Sequence, residues 1–578
     1  MRRSQRPGVL AVRSLNQYRQ RDVLTYLGLR YYLDNESSRT DQWAKVVAPD
    51  LVCRRGTPSY YKSLHYKQEV DGSLLHREMH FPTANEALAE AALISACSES
   101  LGDGFSIPDQ VFSYRPTRGS DCSGIFEHYM IGLQRRHDVI SSLCRRDGDS
   151  TVQFIDIKKF YPSVSCALAL GAWKRACSNS DLPSSMVLLG ERLISDHGEQ
   201  TSSAGGHILT GPMFSHLLAN LVMRSVDDAM GEADVGYLRY VDDITLVGTK
   251  AQVSRAADKV RGILDSMGLT VHDESSEKTI NITAAQWLDG EDDFKRDPNE
   301  DSWMSLVGDI KAFLVAKPVA SNDLSLRFSR SGFRLPVMDY SAVAQGAGYI
   351  DKFEKFLKFN RMASLSEDAA IDELSERAHF LQRKYYSEIV ELIEKHHSVS
   401  GYEEKRIVPK IRYRMGRLAY LSPRDELSKV SRAVDSPALA LQREVINAIA
   451  SNNLDKILSM GGNAAQAVAQ PLSVEGKGVE IRRGGLSATE MESVAILKLN
   501  GITVNAAESF DRSELVEFAD VGATRALMKS EDPYISTISC LHGLTESPRH
   551  PETLETPFDS AEQISHDAID LIANSMSN

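Results

Sequence analysis

Two adjacent aspartates lie in the middle of an otherwise apolar segment, GYLRYVDDITLVG, at residues 236–248. The flanking stretches are rich in β-branched and aromatic residues, which predicts two short strands joined at the aspartates. Adjacent carboxylates at the tip of such a hairpin repel each other unless a cation neutralises them. The segment therefore predicts a sheet-containing fold with Asp242 and Asp243 at a hairpin turn.

A third carboxylate ends another strand-like segment, TVQFIDI, at residues 151–157. Its alternation of polar and apolar residues predicts a strand that ends at Asp156. Mg²⁺ prefers carboxylate and phosphate oxygens as ligands and keeps several waters. If the two strands are neighbours in one sheet, Asp156, Asp242 and Asp243 form a metal site. The alternative is that the paired aspartates only make a hydrophilic turn.

The rest of the chain divides into three regions by its periodicity. Helical periodicity marks residues 84–100, 213–230 and 251–268. A mixed α/β pattern continues through residue 340, and helical periodicity alone dominates residues 341–475. Residues 476–578 are acidic and mixed, and composition predicts that their end is partly disordered. We therefore expect an α/β domain at 1–340, an all-α domain at 341–475 and an acidic C-terminal region.

Charge and cysteine usage are compatible with an intracellular enzyme that binds nucleic acid. The formal net charge is −13, but residues 501–578 hold fourteen Asp and Glu against four Lys and Arg, so the remainder is close to neutral. A local groove can therefore be positive. The seven cysteines form no C-x-x-C pair, which argues against zinc and disulfides. With no signal peptide and no long apolar run, we predict a cytoplasmic protein without a membrane span.

Five segments together resemble the motifs of reverse transcriptases, and they stand in that family's order. They are FSYRPTRGS (112–120), FIDIKKFYPSV (154–164), TGPMFSHLLAN (210–220), YVDD (240–243) and MGLTVHDESSEKT (267–279). These motifs span about a third of the chain. The resemblance implies a right-hand polymerase of fingers, palm and thumb within residues 1–340.

The resemblance also implies a set of metal ligands and a proton donor. Asp156 and Asp242 would bind both of two Mg²⁺ ions, for which Mn²⁺ is an alternative. Asp243 would be more peripheral, and the carbonyl of Ile157 would be a further ligand. Lys278 would protonate the pyrophosphate as it leaves.

Four further residues would contact the incoming dNTP. Tyr161 matches the family's steric gate, which excludes a ribose 2′-hydroxyl, and Arg115 would hold the triphosphate. Thr210 and Gly211 would line the nucleotide site. Thr210 departs from the glutamine usual at this place, which puts the contact to the base in doubt. The usual lysine before the first motif is absent, and Arg118 is its candidate substitute.

Within the family, the chain is most similar to abortive-infection and other defence-associated reverse transcriptases of bacteria. Thr210 and the long helical extension carry this resemblance, and no zinc cluster, endonuclease tail or retron signature is found. It implies antiphage defence, with untemplated, protein-primed or non-coding-RNA-templated synthesis and homo-oligomers formed by the helical domain. Three alternatives stay open: an intron- or retron-type enzyme that copies a cognate RNA, a silent RNA-binding scaffold, and an RNA polymerase.

Two weaker patterns concern partners and primers. The segment KRIVPKIRYRMGR (405–417) fits a nucleic-acid-binding strip, and it equally fits an ordinary helix with a solvated basic face. Its candidate contacts are Lys405, Arg406, Lys410, Arg412, Tyr413 and Arg414. Protein priming would need an exposed hydroxyl, and the candidates are Tyr18, Tyr26, Tyr60, Tyr61 and Tyr534.

Overall fold

The computed structural model describes most of the chain, with gaps between separate ranges. The described residues are 9–18, 23–35, 42–117, 124–201, 205–273, 278–290, 302–338, 365–476, 478–481, 485–506 and 513–544. Arg118, residues 341–364 of the predicted all-α domain and the terminal segment predicted to be partly disordered lie outside these ranges. Statements about structure below refer to the described residues.

The chain combines many helices with eight strands. The helices are α1 Val9–Tyr18, α2 Val23–Asp34, α3 Ala48–Arg54, α4 Ala84–Glu99, α5 Tyr129–Arg146, α6 Phe160–Ser163, α7 Cys166–Ser178, α8 Ser184–Gln200, α9 Met213–Gly231, α10 Lys250–Ser266, α11 Ala284–Asp289, α12 Trp303–Ala316, α13 Ser321–Arg330, α14 Glu367–His396, α15 Tyr402–Leu421, α16 Arg424–Ala433, α17 Ala440–Ser451, α18 Asp455–Met460, α19 Gly462–Glu475, α20 Ala488–Leu499, α21 Glu514–Val521 and α22 Pro533–Gly543. The strands are β1 Tyr60–Val70, β2 Ser73–Pro82, β3 Thr151–Ile155, β4 Gly236–Tyr240, β5 Asp243–Gly248, β6 Ile280–Thr283, β7 Val479–Ile481 and β8 Val504–Ala506. In the described part of the chain, no helix is both long enough and apolar enough to cross a bilayer.

A four-stranded antiparallel sheet, in the order β4-β5-β3-β6, forms the centre of the N-terminal part. Strand β3 was expected from the alternation in TVQFIDI, and β4 and β5 from the segment around the paired aspartates; all three predictions are confirmed. Since neighbouring side chains of a strand point to opposite faces, both faces of this sheet need cover. Helices α5 and α11 pack on one face, and α10 with α9 covers the other.

The predicted helices near the sheet are present with small shifts at their ends. Helix α4 begins at Ala84, α9 runs to Gly231, and α10 is followed by Gly268 with a φ of 75°. Glycine adopts this left-handed conformation without strain, which suits the end of a helix. The local sequence therefore determines where these helices lie.

The predicted mixed α/β pattern ends earlier than residue 340. The last strand of the central sheet ends at Thr283, and the described residues from there to 338 are helical or irregular. Helix α12 begins with a capping box in which Ser302 and Ser305 satisfy each other's backbone amides, and this reciprocal capping favours a helix over a strand. Residues 365–475 form helices and no strand, as the helical periodicity predicts.

The C-terminal helices pack against the hairpin of β1 and β2. Asn463, in the first turn of α19, accepts a hydrogen bond from the Tyr66 amide (2.9 Å) and donates one to the Tyr66 carbonyl (3.3 Å). The ring Nε2 of His76 lies 3.0 Å from the Ser459 carbonyl oxygen. Through these contacts, a region predicted to serve in oligomerisation supports a hairpin of its own chain.

One buried carboxyl in this contact gives a pH-dependent prediction. Glu492 of α20 accepts hydrogen bonds from the hydroxyls of Tyr61 (3.4 Å) and Ser63 (2.5 Å), and burial raises its pKa from 4.5 to about 7. Since the folded state holds this proton more tightly than the unfolded chain, the stabilisation is complete below pH 4.5 and is lost as the pH rises through about 7. Glu492→Gln is expected to melt above the wild type at pH 8 but not at pH 5. A difference in Tm that does not vary with pH contradicts this.

Candidate active site

The central sheet brings the three predicted aspartates to one end. The β3–β5 ladder ends with Ile155 opposite Ile244, so the next residue, Asp156, leaves β3 beside Asp243 and the hairpin turn. Antiparallel pairing thus places together carboxylates that are more than eighty residues apart in the chain. The juxtaposition that the site prediction required is present in the fold.

The hairpin turn itself has a constrained backbone. Val241, between β4 and β5, has a φ of 57°, a conformation that a β-branched residue adopts only when its surroundings force it. Its amide donates to Ser113 Oγ (2.8 Å), and its carbonyl accepts from Arg239 Nη1 (2.8 Å). The neighbouring Asp242 is therefore held at a fixed place on the turn.

Arg239 connects this turn to helix α9. Its guanidinium is fully buried and forms two parallel hydrogen bonds to Asp227, each 2.7 Å long. It also donates to Asn220 Oδ1 (3.2 Å), and the Tyr237 hydroxyl donates to Asp227 (2.8 Å). A planar guanidinium suits this double contact with a carboxylate. The turn and α9 thereby form one rigid unit.

Asp156 is buried yet incompletely satisfied. Its Oδ2 lies 3.4 Å from Lys278 Nζ and 3.5 Å from His272 Nε2. Its Oδ1 is buried and has no hydrogen-bond partner among the described residues. Burial raises the pKa of Asp156, while Lys278 opposes the rise. A buried carboxylate oxygen without a donor is costly unless a ligand binds it.

The carboxylates of the turn add to this unfavourable charge. Burial and the nearby Asp156 raise the pKa of Asp242 to about 7. Burial also raises the pKa of Asp243 well above its ordinary value, against the effect of Arg136. These shifts are those of buried carboxylates with like charges close by, which the neighbouring cations offset only in part. The donor set and the unpartnered Oδ1 of Asp156 fit a hard divalent cation.

The protein ligands alone do not complete a metal cage. In the part of the chain that the structure describes, no group of three or more His, Cys, Asp or Glu side chains is arranged to hold a metal ion. This agrees with Mg²⁺ chemistry, because Mg²⁺ is commonly bound by one or two carboxylates together with substrate phosphates and water. The backbone adds one candidate ligand, the carbonyl of Ile157. The bridge between Ile157 and Val271 uses the Asp156 carbonyl and the Lys158 amide, and not the Ile157 carbonyl.

Two cationic side chains near the aspartates were missed by the sequence reasoning. Lys67 and Arg77 lie on β1 and β2, outside all five motifs. Lys67 occupies a β-bulge between the paired residues Tyr66 and Gln68. Desolvation and then the charges of Lys278 and Arg77 lower the pKa of Lys67, and Arg77 opposes the rise in the pKa of Asp242. The sequence signal that could have located the hairpin carrying both residues was the alternation along residues 60–82.

Tyr161 is held by a cluster of aromatic side chains. Its hydroxyl lies 2.6 Å from Nδ1 of His216, which is in the first turn of α9. Tyr114 stacks on the His216 ring with centroids 3.8 Å apart and planes 5° from parallel. Burial raises the pKa of Tyr161 well above its ordinary value, and Tyr114 and Asp242 add to the rise. Phe160 is buried and packs its ring edge against Tyr161.

Thr210 and Gly211 form the loop that precedes α9. The Thr210 carbonyl accepts a hydrogen bond from the His80 amide on β2 (2.8 Å). Gly211 has a φ of 121°, and a Cβ there would lie 2.5 Å from the His80 carbonyl oxygen. Only glycine fits this backbone and this close approach. The loop is thus fixed against the hairpin that carries Arg77.

Comparison with known proteins does not assign a family. No protein-family model matches the chain, and no curated protein matches it. Among solved structures, the chain is similar to telomerase from Candida albicans in complex with a fragment of telomeric RNA, with 11% identity and a TM-score of 0.28. The alignment covers 67% of this chain and 68% of that one. A TM-score of this size carries no argument about fold or activity, so the proposals below depend on the site.

Arg115 has a structural use in this conformation. Its Nε donates to the Val111 carbonyl (2.8 Å) and its Nη2 to the Pro108 carbonyl (2.5 Å). A guanidinium that holds its own loop must exchange these bonds before it can bind a triphosphate. The predicted role of Arg115 therefore stays a prediction, and Lys67 and Arg77 are the cations that accompany the aspartates.

The predicted basic strip on α15 is largely used inside the protein. Arg412 is buried and donates to the Ala438 carbonyl, so the prediction that it contacts a phosphate is wrong. Arg406 pairs with Asp289 and Arg414 with Glu388. Tyr413 lies under the guanidinium of Arg417 at 4.6 Å. For Lys405 and Lys410, which are half-buried, nucleic-acid contact stays a prediction.

The tyrosines considered as protein primers are not accessible. Four of them are buried: Tyr18, Tyr26, Tyr60 and Tyr534. The fifth, Tyr61, is half-buried, and its hydroxyl donates to Glu492. Because a priming hydroxyl has to reach the catalytic carboxylates, these five side chains are wrong candidates in this conformation.

Proposed function

We propose that the chain is a metal-dependent DNA polymerase of the reverse-transcriptase type, with a right-hand architecture in residues 1–340. One observation carries the proposal: two strands distant in sequence bring Asp156 and the Asp242–Asp243 turn together, and a buried oxygen of Asp156 lacks a partner. Phosphoryl transfer depends on positioning and on charge stabilisation. The carboxylates would hold the cations, and Lys67, Arg77 and Lys278 would contact the phosphates. The site would thereby supply both positioning and charge stabilisation.

Asp156 and Asp242 would hold two Mg²⁺ or Mn²⁺ ions, with the Ile157 carbonyl as a further ligand and Asp243 more peripheral. Held by these residues, the ions would supply charge stabilisation for the attacking 3′-hydroxyl and for the leaving pyrophosphate. The fixed backbone of the hairpin turn keeps Asp242 in place throughout. Arg136, which donates to Thr245, offsets part of the charge of Asp243.

Cationic side chains would bind and neutralise the triphosphate. Lys67 and Arg77 come from the β1–β2 hairpin, and the bulge at Lys67 takes this residue out of the regular strand pairing. Lys278 contacts Asp156, and its ammonium would donate a proton to the departing pyrophosphate. Lys67 and Arg77 lie on the β1–β2 hairpin, and Lys278 lies just before β6 of the central sheet. The three side chains therefore come together only when the hairpin packs correctly against the sheet.

Tyr161 would set the preference for deoxynucleotides. Tyr161 comes five residues after Asp156 in the chain, and the charge of Asp242 raises its pKa. A bulky ring beside the sugar leaves no room for a 2′-hydroxyl, while a hydrogen atom fits. Selection would therefore come from exclusion of the ribonucleotide.

Wild-type protein with Mg²⁺ and labelled dNTPs is expected to form DNA, and rNTPs are expected to be poor substrates. Tyr161→Ala is expected to raise the rNTP-to-dNTP ratio of kcat/KM by about tenfold or more, because the excluded hydroxyl then fits. Tyr386→Ala, in the distant helix α14, is the matched control and should leave the ratio at the wild-type value. Absence of incorporation by the wild type with Mg²⁺, Mn²⁺ and any supplied primer refutes the proposed function.

The biological role that we propose is antiphage defence. Thr210 in place of the usual glutamine and the helical region at 365–475 support this proposal. Sequencing the nucleic acid that copurifies with the protein, together with its product, tests it: random or low-complexity DNA, or DNA templated on one small RNA, agrees with defence. A faithful copy of any supplied RNA favours the intron- or retron-type enzyme. RNA bound without synthesis favours the silent scaffold. Light scattering tests the proposed homo-oligomer.

A further inference from the structure

We infer that His216 is a positioning residue that fixes the ring of Tyr161, and that the selection of deoxynucleotides depends on this pair. The inference rests on the proposed function, since it concerns how the sugar is selected. His216 lies within the third motif, TGPMFSHLLAN (210–220), but no role was assigned to it above. It lies between Ser215 and Leu217 in the first turn of α9.

The first argument is the contact between the two side chains. The Tyr161 hydroxyl and His216 Nδ1 are 2.6 Å apart, a short hydrogen bond, and the ring planes are inclined at 71°. A tyrosine ring that lacks a partner at its hydroxyl can leave its position by rotation about χ1. Because Tyr161 is on the short helix α6 and His216 is on the long helix α9, the bond ties the ring to the more rigid element.

The second argument is that His216 is itself held in place. Tyr114 stacks on its ring at 3.8 Å, and Phe126 contacts it edge-on at 6.2 Å. Tyr114 has a φ of 49°, which is strained for a side-chain-bearing residue. Its neighbour Ser113 accepts a hydrogen bond from the Val241 amide and, through its carbonyl, from Asn220. The loop that stacks on His216 is thus anchored to the catalytic turn.

The consequence concerns selectivity more than catalysis. A gate excludes a hydroxyl only if its ring stays within a fraction of an ångström of one position, because a small displacement admits the extra oxygen. The pair of Tyr161 and His216 should have little effect on a deoxynucleotide, because its sugar has no 2′-hydroxyl to occupy that space. Loss of the His216 contact should therefore act on the rNTP more than on the dNTP.

The test compares rNTP-to-dNTP ratios of kcat/KM across four variants. His216→Leu removes the ring nitrogen and keeps an apolar side chain of similar size, and it is expected to raise the ratio about 3- to 10-fold, the effect of one hydrogen bond. Tyr161→Phe, which keeps the ring and lacks the hydroxyl, is expected to raise it at least as much, because the hydroxyl also interacts with Tyr114. His216→Asn can still bond the Tyr161 hydroxyl and is expected to restore most of the selectivity.

The double variant Tyr161→Phe with His216→Leu distinguishes positioning from packing. If His216 acts through the hydroxyl, the double variant matches Tyr161→Phe alone; if His216 only fills space, the two effects multiply. A ratio in His216→Leu within twofold of the wild type, or multiplying effects, overturns the inference. Tyr161→Phe and His216→Asn preserve the test if the leucine variant does not fold. Absence of dNTP incorporation by the wild type contradicts the proposed function instead.

Discussion

Asp242→Asn is expected to lower dNTP incorporation by at least about a thousandfold, because one uncharged amide cannot replace a ligand shared by two cations. The substitution keeps the size and shape of the side chain, so the hairpin turn at Val241 should persist. The measurement is single-nucleotide extension with Mg²⁺ under single-turnover conditions. The exposed Asp258 on α10, which pairs with Arg261, gives the matched control Asp258→Asn, with activity within about twofold of the wild type.

The same variant separates loss of chemistry from loss of folding. Burial and Asp156 raise the pKa of Asp242, so its carboxylate is unfavourable when no cation is bound. Asp242→Asn is therefore expected to melt at or above the wild-type temperature without metal. Mg²⁺ should raise the Tm of the wild type and have a smaller effect on the variant. Activity retained within tenfold, or an equal Mg²⁺ shift in both proteins, contradicts the assigned metal site.

The strands that carry these aspartates could be predicted because their signals are local. Alternation and β-branched residues locate β3, β4 and β5, although β3 ends at Ile155, one residue before the predicted end at Asp156. The reason is tertiary packing. Beyond Ile155 the chain pairs with the segment around Val271, where the backbone amide of His272 donates a hydrogen bond to the Asp156 carbonyl. A window of seven residues contains no information about that partner.

The cations of the site could not be found in the same way. Lys67 lies in a strand that reads as an ordinary polar alternation, and it approaches Asp156 only because the bulge and the packing of α19 orient the hairpin. The prediction that Arg412 of the basic segment on α15 contacts a phosphate was wrong for a different reason. Its helical periodicity was right, but which face is buried depends on α14 and α17, so Arg412 points inward. Local patterns give elements, and packing decides which side chains meet.

Arg239→Lys is expected to destabilise the β4–β5 hairpin by about 3–5 kcal/mol, the effect of breaking a buried ion pair. Lysine can neither form two parallel bonds to Asp227 nor reach the Val241 carbonyl at the same time. Since the chain has several regions, one global unfolding free energy is poorly defined. Amide hydrogen exchange in β4 and β5 reports the local opening instead. Protection there is expected to fall by roughly two to four powers of ten.

The matched control is the pair of Arg224 and Asp228 on the outer side of α9, whose 2.8 Å contact is close to the 2.7 Å contacts between Arg239 and Asp227. Because that pair is exposed, Arg224→Lys is expected to change the protection by less than about 1 kcal/mol. Equal effects of the two substitutions would show that burial of Arg239 contributes nothing.

A double substitution identifies the cause of the loss. If the cost of Arg239→Met comes mainly from the uncompensated charge left on Asp227, adding Asp227→Leu should recover part of the protection, since an apolar pair can replace a buried ion pair. The recovery should be incomplete, because the Tyr237 hydroxyl, Asn220 and the Val241 carbonyl still lose their partners. The strained φ of Val241 is then free to relax. dNTP incorporation is therefore expected to stay low in the double variant even where stability returns, and full recovery of both would show that the turn does not need Arg239.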